Sequence, residues 1–244
     1  MAKFDIGSAA SRPTGLESQL KSDMIRREIE PTMGASRKEE PAPKPPEVTQ
    51  QYTAQPEPVK SEPGQELPLP LQTVKWESRM DSAGNPVVYK LPSGDMGGNL
   101  EISGINDRYH PEAFKAISQL PASQRSEAAA EYIRGYTAPL VSQLPRQMQA
   151  FAQDMAFNRG LGGATRYFQQ GLNSLGVSVN VDGSLGPKTL QAISQVQPQG
   201  LMRAASEAQL RDEYAKAEQD PRRTKFIPGL EARIRNRLSA FGQG

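Results

Sequence analysis

The sequence predicts a mainly α fold: a helical domain with one small β-hairpin and glycine-rich-loop excursion, preceded by an extended proline-rich N-terminal arm. Three observations carry this expectation. Residues 1–70 hold 11 of the 21 prolines but only two of the 15 aromatics, Phe4 and Tyr52, so they lack the apolar surface to offset their ordering entropy. Only residues 87–105 join β-prone runs to turn residues. Beyond residue 110, apolar positions recur at helical spacing and prolines stand where helices would start.

The arm is assigned to residues 1–72. Leu16, Leu20, Met24 and Ile25 are spaced for a short amphipathic helix near 16–30, which Pro31 ends; such a helix is a candidate docking peptide. Residues 35–70 (PAPKPP, PEPVKSEP, ELPLPL) read as polyproline-like linker. Order is expected from Thr73, with a short helix carrying Trp76 and Glu77, a turn at 81–86, a strand at 87–91, the glycine-rich loop 92–99, and a β-prone run at 100–105. Helices are then predicted over 112–119, 123–136, 146–157, 164–175, 187–196, 199–219 and 228–241, with Gly160, Gly162 and Gly163 breaking the chain between the third and fourth. Met148, Phe151 and Met155 recur at i, i+3, i+7 and are read as core. The folded part divides at residue 160 into halves 73–159 and 160–244 that are expected to share one core.

Composition excludes several chemistries. Without cysteine there is no disulfide framework, thiolate metal site or cysteine nucleophile, and His110, the only histidine, sits just before Pro111 as a helix-start residue. No metal or cofactor is expected, and carboxylates are the working groups if the protein is an enzyme. No apolar run of about 18 residues predicts a membrane span, and residues 1–10 lack the apolar core of a secretory signal, so synthesis in the cytoplasm is expected. Lys and Arg balance Asp and Glu 9 to 11 over residues 1–70, 9 to 9 over 71–159 and 11 to 7 over 160–244. The basic C-terminal excess suits an anionic polymer such as cell-wall glycan. It also admits salt-sensitive nucleic-acid contact through Arg222, Arg223, Lys225, Arg233, Arg235 and Arg237.

Three blocks stand in order: Trp76-Glu77-Ser78-Arg79; Gly94-Asp95-Met96-Gly97-Gly98 with Gly104-Ile105; and Phe157-Asn158-Arg159-Gly160 followed by Asp182-Gly183-Ser184-Leu185-Gly186-Pro187-Lys188-Thr189. With them the chain resembles, over roughly 74–240, the phage and bacterial lysozyme-like muramidases of glycosyl hydrolase family 108, whose helical C-terminal part is termed a predicted peptidoglycan-binding domain. The resemblance implies an α+β lysozyme-like fold and maps the family's general acid onto Glu77, with Trp76 as the apolar neighbour that helps keep the carboxyl protonated. Asp95 is the candidate second carboxylate, ahead of Asp81 and Glu101. Asp95 also reads as a turn residue bonding its own backbone. The family's Gly-Gly-Ala-Thr-like run is replaced here by Gly97-Gly98-Asn99-Leu100-Glu101-Ile102-Ser103-Gly104, which has no Thr, so Ser103 or Asn99 is expected in its role. Asn158 and Arg159 are candidates to bind glycan or to cap a helix. The expected partners are peptidoglycan glycan strands and, through the arm, other proteins of a phage particle, in which the protein would reach the host wall during genome entry. The competing expectation is a non-cutting structural virion protein on the same fold.

Overall fold

The computed structural model describes residues 67–92 and 98–242. The 16–30 helix, most of the arm, and Asp95 with its glycine neighbours Gly94 and Gly97 lie outside the described residues. The described chain is mainly helical with one three-stranded sheet: α1 Leu71–Glu77, β1 Tyr89–Lys90, β2 Leu100–Ile102, β3 Ile105–Asn106, α2 Pro111–Ser118, α3 Arg125–Val141, α4 Arg146–Ser174, α5 Pro187–Ser194, α6 Pro198–Gln219 and α7 Ile227–Phe241. Prolines stand in the first turn of α2, α5, α6 and α7, where the missing N–H costs nothing. None of the described helices is long and apolar enough to cross a membrane.

Order begins earlier than the sequence suggests. Leu67 and Leu69 of the expected linker each pack on a buried cluster, and α1 starts at Leu71 after Pro70. The alternating Leu-Pro pattern that reads as linker here supplies apolar contacts instead. The sheet is antiparallel in the order β1-β2-β3, pairing Tyr89 with Glu101 and Ile102 with Ile105. Its β2–β3 turn is only Ser103-Gly104, with φ of 54° and 76°. Two successive positive φ values are the pattern of a type I′ hairpin. Ser103 holds this conformation without being glycine, supported by complete burial and by a hydroxyl contact with Ser78 at 2.8 Å.

Two apolar clusters form the core. Val74 of α1, Ile102 and Ile105 of the sheet, Ile117 of α2, and Ala129, Ala130 and Ile133 of α3 make one. The other is built on α4, with Met148, Phe151, Met155, Phe168 and Leu172 packed against Leu201, Met202, Ala205 and Ala208 of α6. Methionine and phenylalanine at i, i+3, i+7 are thus all fully buried, as periodicity required. Helices α4 and α6 meet through small residues: a Cβ on Gly171 would lie 3.0 Å from the Ala205 nitrogen. Residues from both sides of position 160 belong to this second cluster.

Two boundaries differ from expectation. Helix α3 runs through Pro139 to Val141, because burial of Leu140 and Val141 in the second cluster offsets the hydrogen bond the proline removes. Helix α4 is broken within 160–163, as expected, but over a narrower stretch. It turns only at Gly160, with φ 71° and ψ 162°, and is helical again at once, returning Ala164, Phe168 and Leu172 to the core. No neighbour lies within 4 Å of where a Cβ on Gly160 would stand, so the requirement is conformational and not steric. Gly160→Ala is therefore expected to cost about 1–3 kcal/mol, read as a lower midpoint in urea unfolding; an unchanged midpoint would mean that the kink relaxes without penalty.

Candidate functional site

Helix α1 is short and ends on Glu77, so the carboxylate sits at the negative end of the helix dipole, a placement that costs about 0.3–1 kcal/mol and has no structural advantage of its own. Two long-range partners hold it there. Asn158 Nδ2 donates to Glu77 Oε1 at 2.7 Å, and an Arg233 guanidinium nitrogen lies 2.8 Å from the same oxygen. The Glu77 side chain keeps 23% of its surface exposed. From below, the β2–β3 turn closes on it: a Cβ on Gly104 would lie 2.8 Å from the Phe157 ring and 3.4 Å from Glu77 Cγ. Only glycine satisfies both this approach and the positive φ. Gly104→Ala should thus push Phe157 and Glu77 apart and destabilise the protein by about 1–3 kcal/mol, seen as a lower melting temperature; no change would show that the hairpin is loosely docked.

Behind Glu77 lies a buried polar network. Asp154, fully buried on α4, accepts from Thr73 Oγ1 at 3.0 Å and is bridged by Arg233 at 2.6 Å, with Arg237 at 3.5 Å. Arg233 is 14% exposed and joins Asp154 to Glu77. Burial works against its charge, but the two carboxylates hold it above the ordinary guanidinium value. Arg237 is entirely buried, stacks over Phe151 with its guanidinium 4.9 Å from the ring, and donates to Gln209. Burial brings it down to about 10.

Asn158 also lines a cleft of about 430 Å³ between α4 and α6, walled by Arg159, Arg166, Tyr167, Asp212 and Lys216. Positions 159, 163, 166, 167 and 170 recur on one face of α4, and Gly163 opens room between them. A space of this volume suits a small organic ligand or a piece of polymer. Asn158 contacts both Glu77 and the cleft, while Glu77 itself is not among the residues that line it.

The structure brings Glu77 and Asn158 together and sets Arg159 beside them, though Arg159 is engaged by the buried Glu213 at 3.0 Å. The other expected ligands fall elsewhere. Trp76 does not line the cleft; its ring packs on Phe241 at 5.6 Å and under Arg233 at 4.9 Å, the same guanidinium that pairs with Glu77. Ser103 is wholly buried against Ser78 and presents no hydroxyl to a ligand. Asn99 is exposed and fixed by its backbone, which donates to Asp107 at 2.9 Å. Of the alternative carboxylates, Asp81 caps its own turn by accepting from the Ala83 and Asn85 backbones, which holds its pKa below the usual value. Glu101 accepts from Tyr89, whose hydroxyl is pushed up by burial and by that bond, with Glu77 adding to the shift. Asp154 and Arg233, absent from the expected site, are the residues that complete it.

The six cations named for nucleic-acid contact divide: Arg222, Lys225 and Arg235 are exposed, and the other three are buried or part-buried. Arg233 and Arg237 are turned into the Asp154 network, Arg223 reaches Glu213 at 3.4 Å, and Arg222 pairs with Asp220 at 2.8 Å. The Asp182–Pro187 turn is a clasp: Gln169, fully buried, donates to Asp182 at 2.7 Å and accepts from Gly183 at 2.8 Å. His110 precedes α2 without capping it, and its Nδ1 lies 2.7 Å from the Tyr132 hydroxyl. Burial lowers the His110 pKa, so the unfolded chain binds the proton more readily. Its contribution to stability is present above the unfolded value of about 6.5 and is lost as pH falls below it. The melting temperature of the wild type should therefore drop more between pH 7 and pH 5 than that of His110→Gln; parallel curves would remove His110 as the cause.

Comparison with known proteins adds a family signature. Residues 163–234 match the family model described as "Predicted Peptidoglycan domain", a stretch that includes Arg166, Tyr167, Asp212 and Lys216 of the cleft wall and Arg233, but not Asn158, Arg159 or Glu77. No curated protein matches the chain. Among solved structures it is similar to "Structure of Brucella abortus SagA", at 20% identity over 66% of this chain and 90% of that chain, with a TM-score of 0.48.

Proposed function

We propose that the protein cuts the glycan strands of peptidoglycan as a lysozyme-type N-acetylmuramidase, with Glu77 as the general acid on the glycosidic oxygen. The observation that carries the reading is the setting of Glu77: a part-exposed carboxylate fixed by Arg233 and by Asn158, a residue that also lines a ligand-sized cleft, in a chain that carries a peptidoglycan-domain signature. General acid catalysis needs a carboxyl held in one place within reach of the leaving oxygen. Residues 73–159 then supply the acid with Asn158 and Arg159 of the cleft wall, and 160–244 supply the rest of the wall and Arg233, which positions the acid. Asp95 remains the proposed second carboxylate. Delivery in a phage particle, with the proline-rich arm bound to other virion proteins, is the proposed setting; the arm's composition supports attachment over a free enzyme.

One observation favours a second reading, a wall-binding or structural virion protein that does not cut. Arg233 lies 2.8 Å from Glu77 as an ion pair, whereas a general acid works from the neutral carboxyl. Product analysis separates the two. Purified sacculi are digested with the full chain, and the new reducing ends are labelled by borohydride. Reduced N-acetylmuramic acid is the expected product; reduced N-acetylglucosamine would overturn the muramidase assignment, and no new ends would favour the structural reading.

A further inference from the structure

The α4–α6 cleft has an unbalanced charge. Of its cations, Arg159 is paired with Glu213, and Lys216 is paired with Asp212 at 2.6 Å. Asp212, the acid in the cleft wall, is spent in turn, because the Tyr167 hydroxyl donates to the same oxygen at 2.5 Å. Arg166 differs from both. It is exposed, lines the cleft, and makes no ion pair within 4 Å among the described residues. The acid whose charge it feels, Asp182, accepts from the Ser184 backbone at 2.8 Å and from Gln169 through one oxygen, and forms no ion pair with Arg166 within 4 Å.

Arg166 is also seated. A Cβ on Gly183 would lie 2.9 Å from the centre of its guanidinium and one on Gly162 would lie 3.7 Å from its terminal nitrogen. Gly183 thus leaves the space the guanidinium fills, Gly162 stands at ordinary contact distance, and the Gln169 clasp fixes the Gly183 side of that space. A guanidinium held by its surroundings loses little freedom on binding an anion and offers the planar donor fork that matches a carboxylate.

We propose that Arg166 anchors a carboxylate carried by the amino-sugar strand in the α4–α6 cleft, so that the cleft distinguishes muramic-type glycan from an uncharged N-acetylglucosamine strand. This rests on the reading of the protein as one that acts on cell-wall glycan. Two sources share the chemistry: the lactyl carboxylate of a muramic residue without peptide, and the carboxylates of an attached stem peptide.

Equilibrium binding to the full-length protein tests it without any catalysis. Three probes are titrated: the N-acetylglucosaminyl–N-acetylmuramic disaccharide, the same disaccharide bearing a stem peptide, and N,N′-diacetylchitobiose. At least one muramic probe should bind about tenfold tighter than chitobiose, with the difference shrinking as salt rises. Tighter binding of the bare disaccharide identifies the lactyl group as the source, and tighter binding of the peptide form identifies the stem. Arg166→Gln should bring the muramic probes to the chitobiose level and leave chitobiose itself unchanged, whereas Arg166→Lys should keep part of the preference. Equal affinity of all three probes for the wild type, or an equal loss for all three in Arg166→Gln, overturns the proposal; so does binding of none of them. Wall lysis is read separately: a carboxylate preference that survives in a protein that does not lyse sacculi would sink the hydrolase reading and leave the anchor standing.

Discussion

Glu77→Gln is expected to reduce lysis of purified sacculi by about 10²–10⁴-fold, the usual range for loss of a positioned general acid, while the protein stays folded. Glutamine has nearly the same shape and cannot donate the proton. Its amide oxygen can still accept from Asn158 Nδ2, and Arg233 keeps its 2.6 Å contact with Asp154. What is lost structurally is one ion pair to a carboxylate that is 23% exposed, worth about 1 kcal/mol or less. Turbidity loss and melting temperature measured on the same preparations separate chemistry from folding. Lysis equal to wild type would remove Glu77 from the mechanism. Asn158→Ala forms a second arm: it removes one of the two groups that fix the carboxylate without touching its proton. Its loss should be smaller than that of Glu77→Gln, and a larger loss would make Asn158 the more important group.

The local features of this protein were readable from its sequence, and its long-range ones were not. Helical periodicity placed Met148, Phe151 and Met155 in the core, and all three are fully buried. Proline and glycine punctuation located the helix starts within a residue or two. Misreadings arose where tertiary burial overrode a local rule, as at the end of α3 beyond residue 136 and in the Leu-Pro segment before α1. At the site, Glu77 could be named because it ends a helix inside a recognisable block. Its partners could not, because Asn158 is 81 positions away and the Asp154–Arg233 pair spans 79. One cue was present: Asp154 stands in a stretch, Phe151 to Ala156, where every residue is buried. A charge flanked by apolar residues on all faces of a helix requires an opposite charge from elsewhere. The same reasoning would have moved Arg233 and Arg237, four residues apart and flanking Ile234, from the solvent face to the interior.

Asp154→Ala should be the most destabilising single change at the site, by about 3–5 kcal/mol, the cost of leaving buried charge unpaired. Arg237 has no exposed surface and would keep only Gln209 and the face of Phe151, while Arg233 and Thr73 would each lose an acceptor. Asp154→Asn keeps the volume and an oxygen for Thr73 but not the charge, so its loss should be somewhat smaller. Urea unfolding of the three proteins gives the values, and a loss under about 1 kcal/mol would mean that water reaches the network and the arginines are not dependent on Asp154. A compensated variant decides whether the charges serve stability at all. Replacing Asp154 and Arg237 together by leucine and methionine removes both buried charges, and such exchanges are often neutral or stabilising. If that double variant recovers most of the stability yet lyses sacculi poorly, the buried pair exists to hold Arg233, and through it Glu77, in place. Recovery of both stability and lysis would instead make Arg233 and Asn158 sufficient to position the acid.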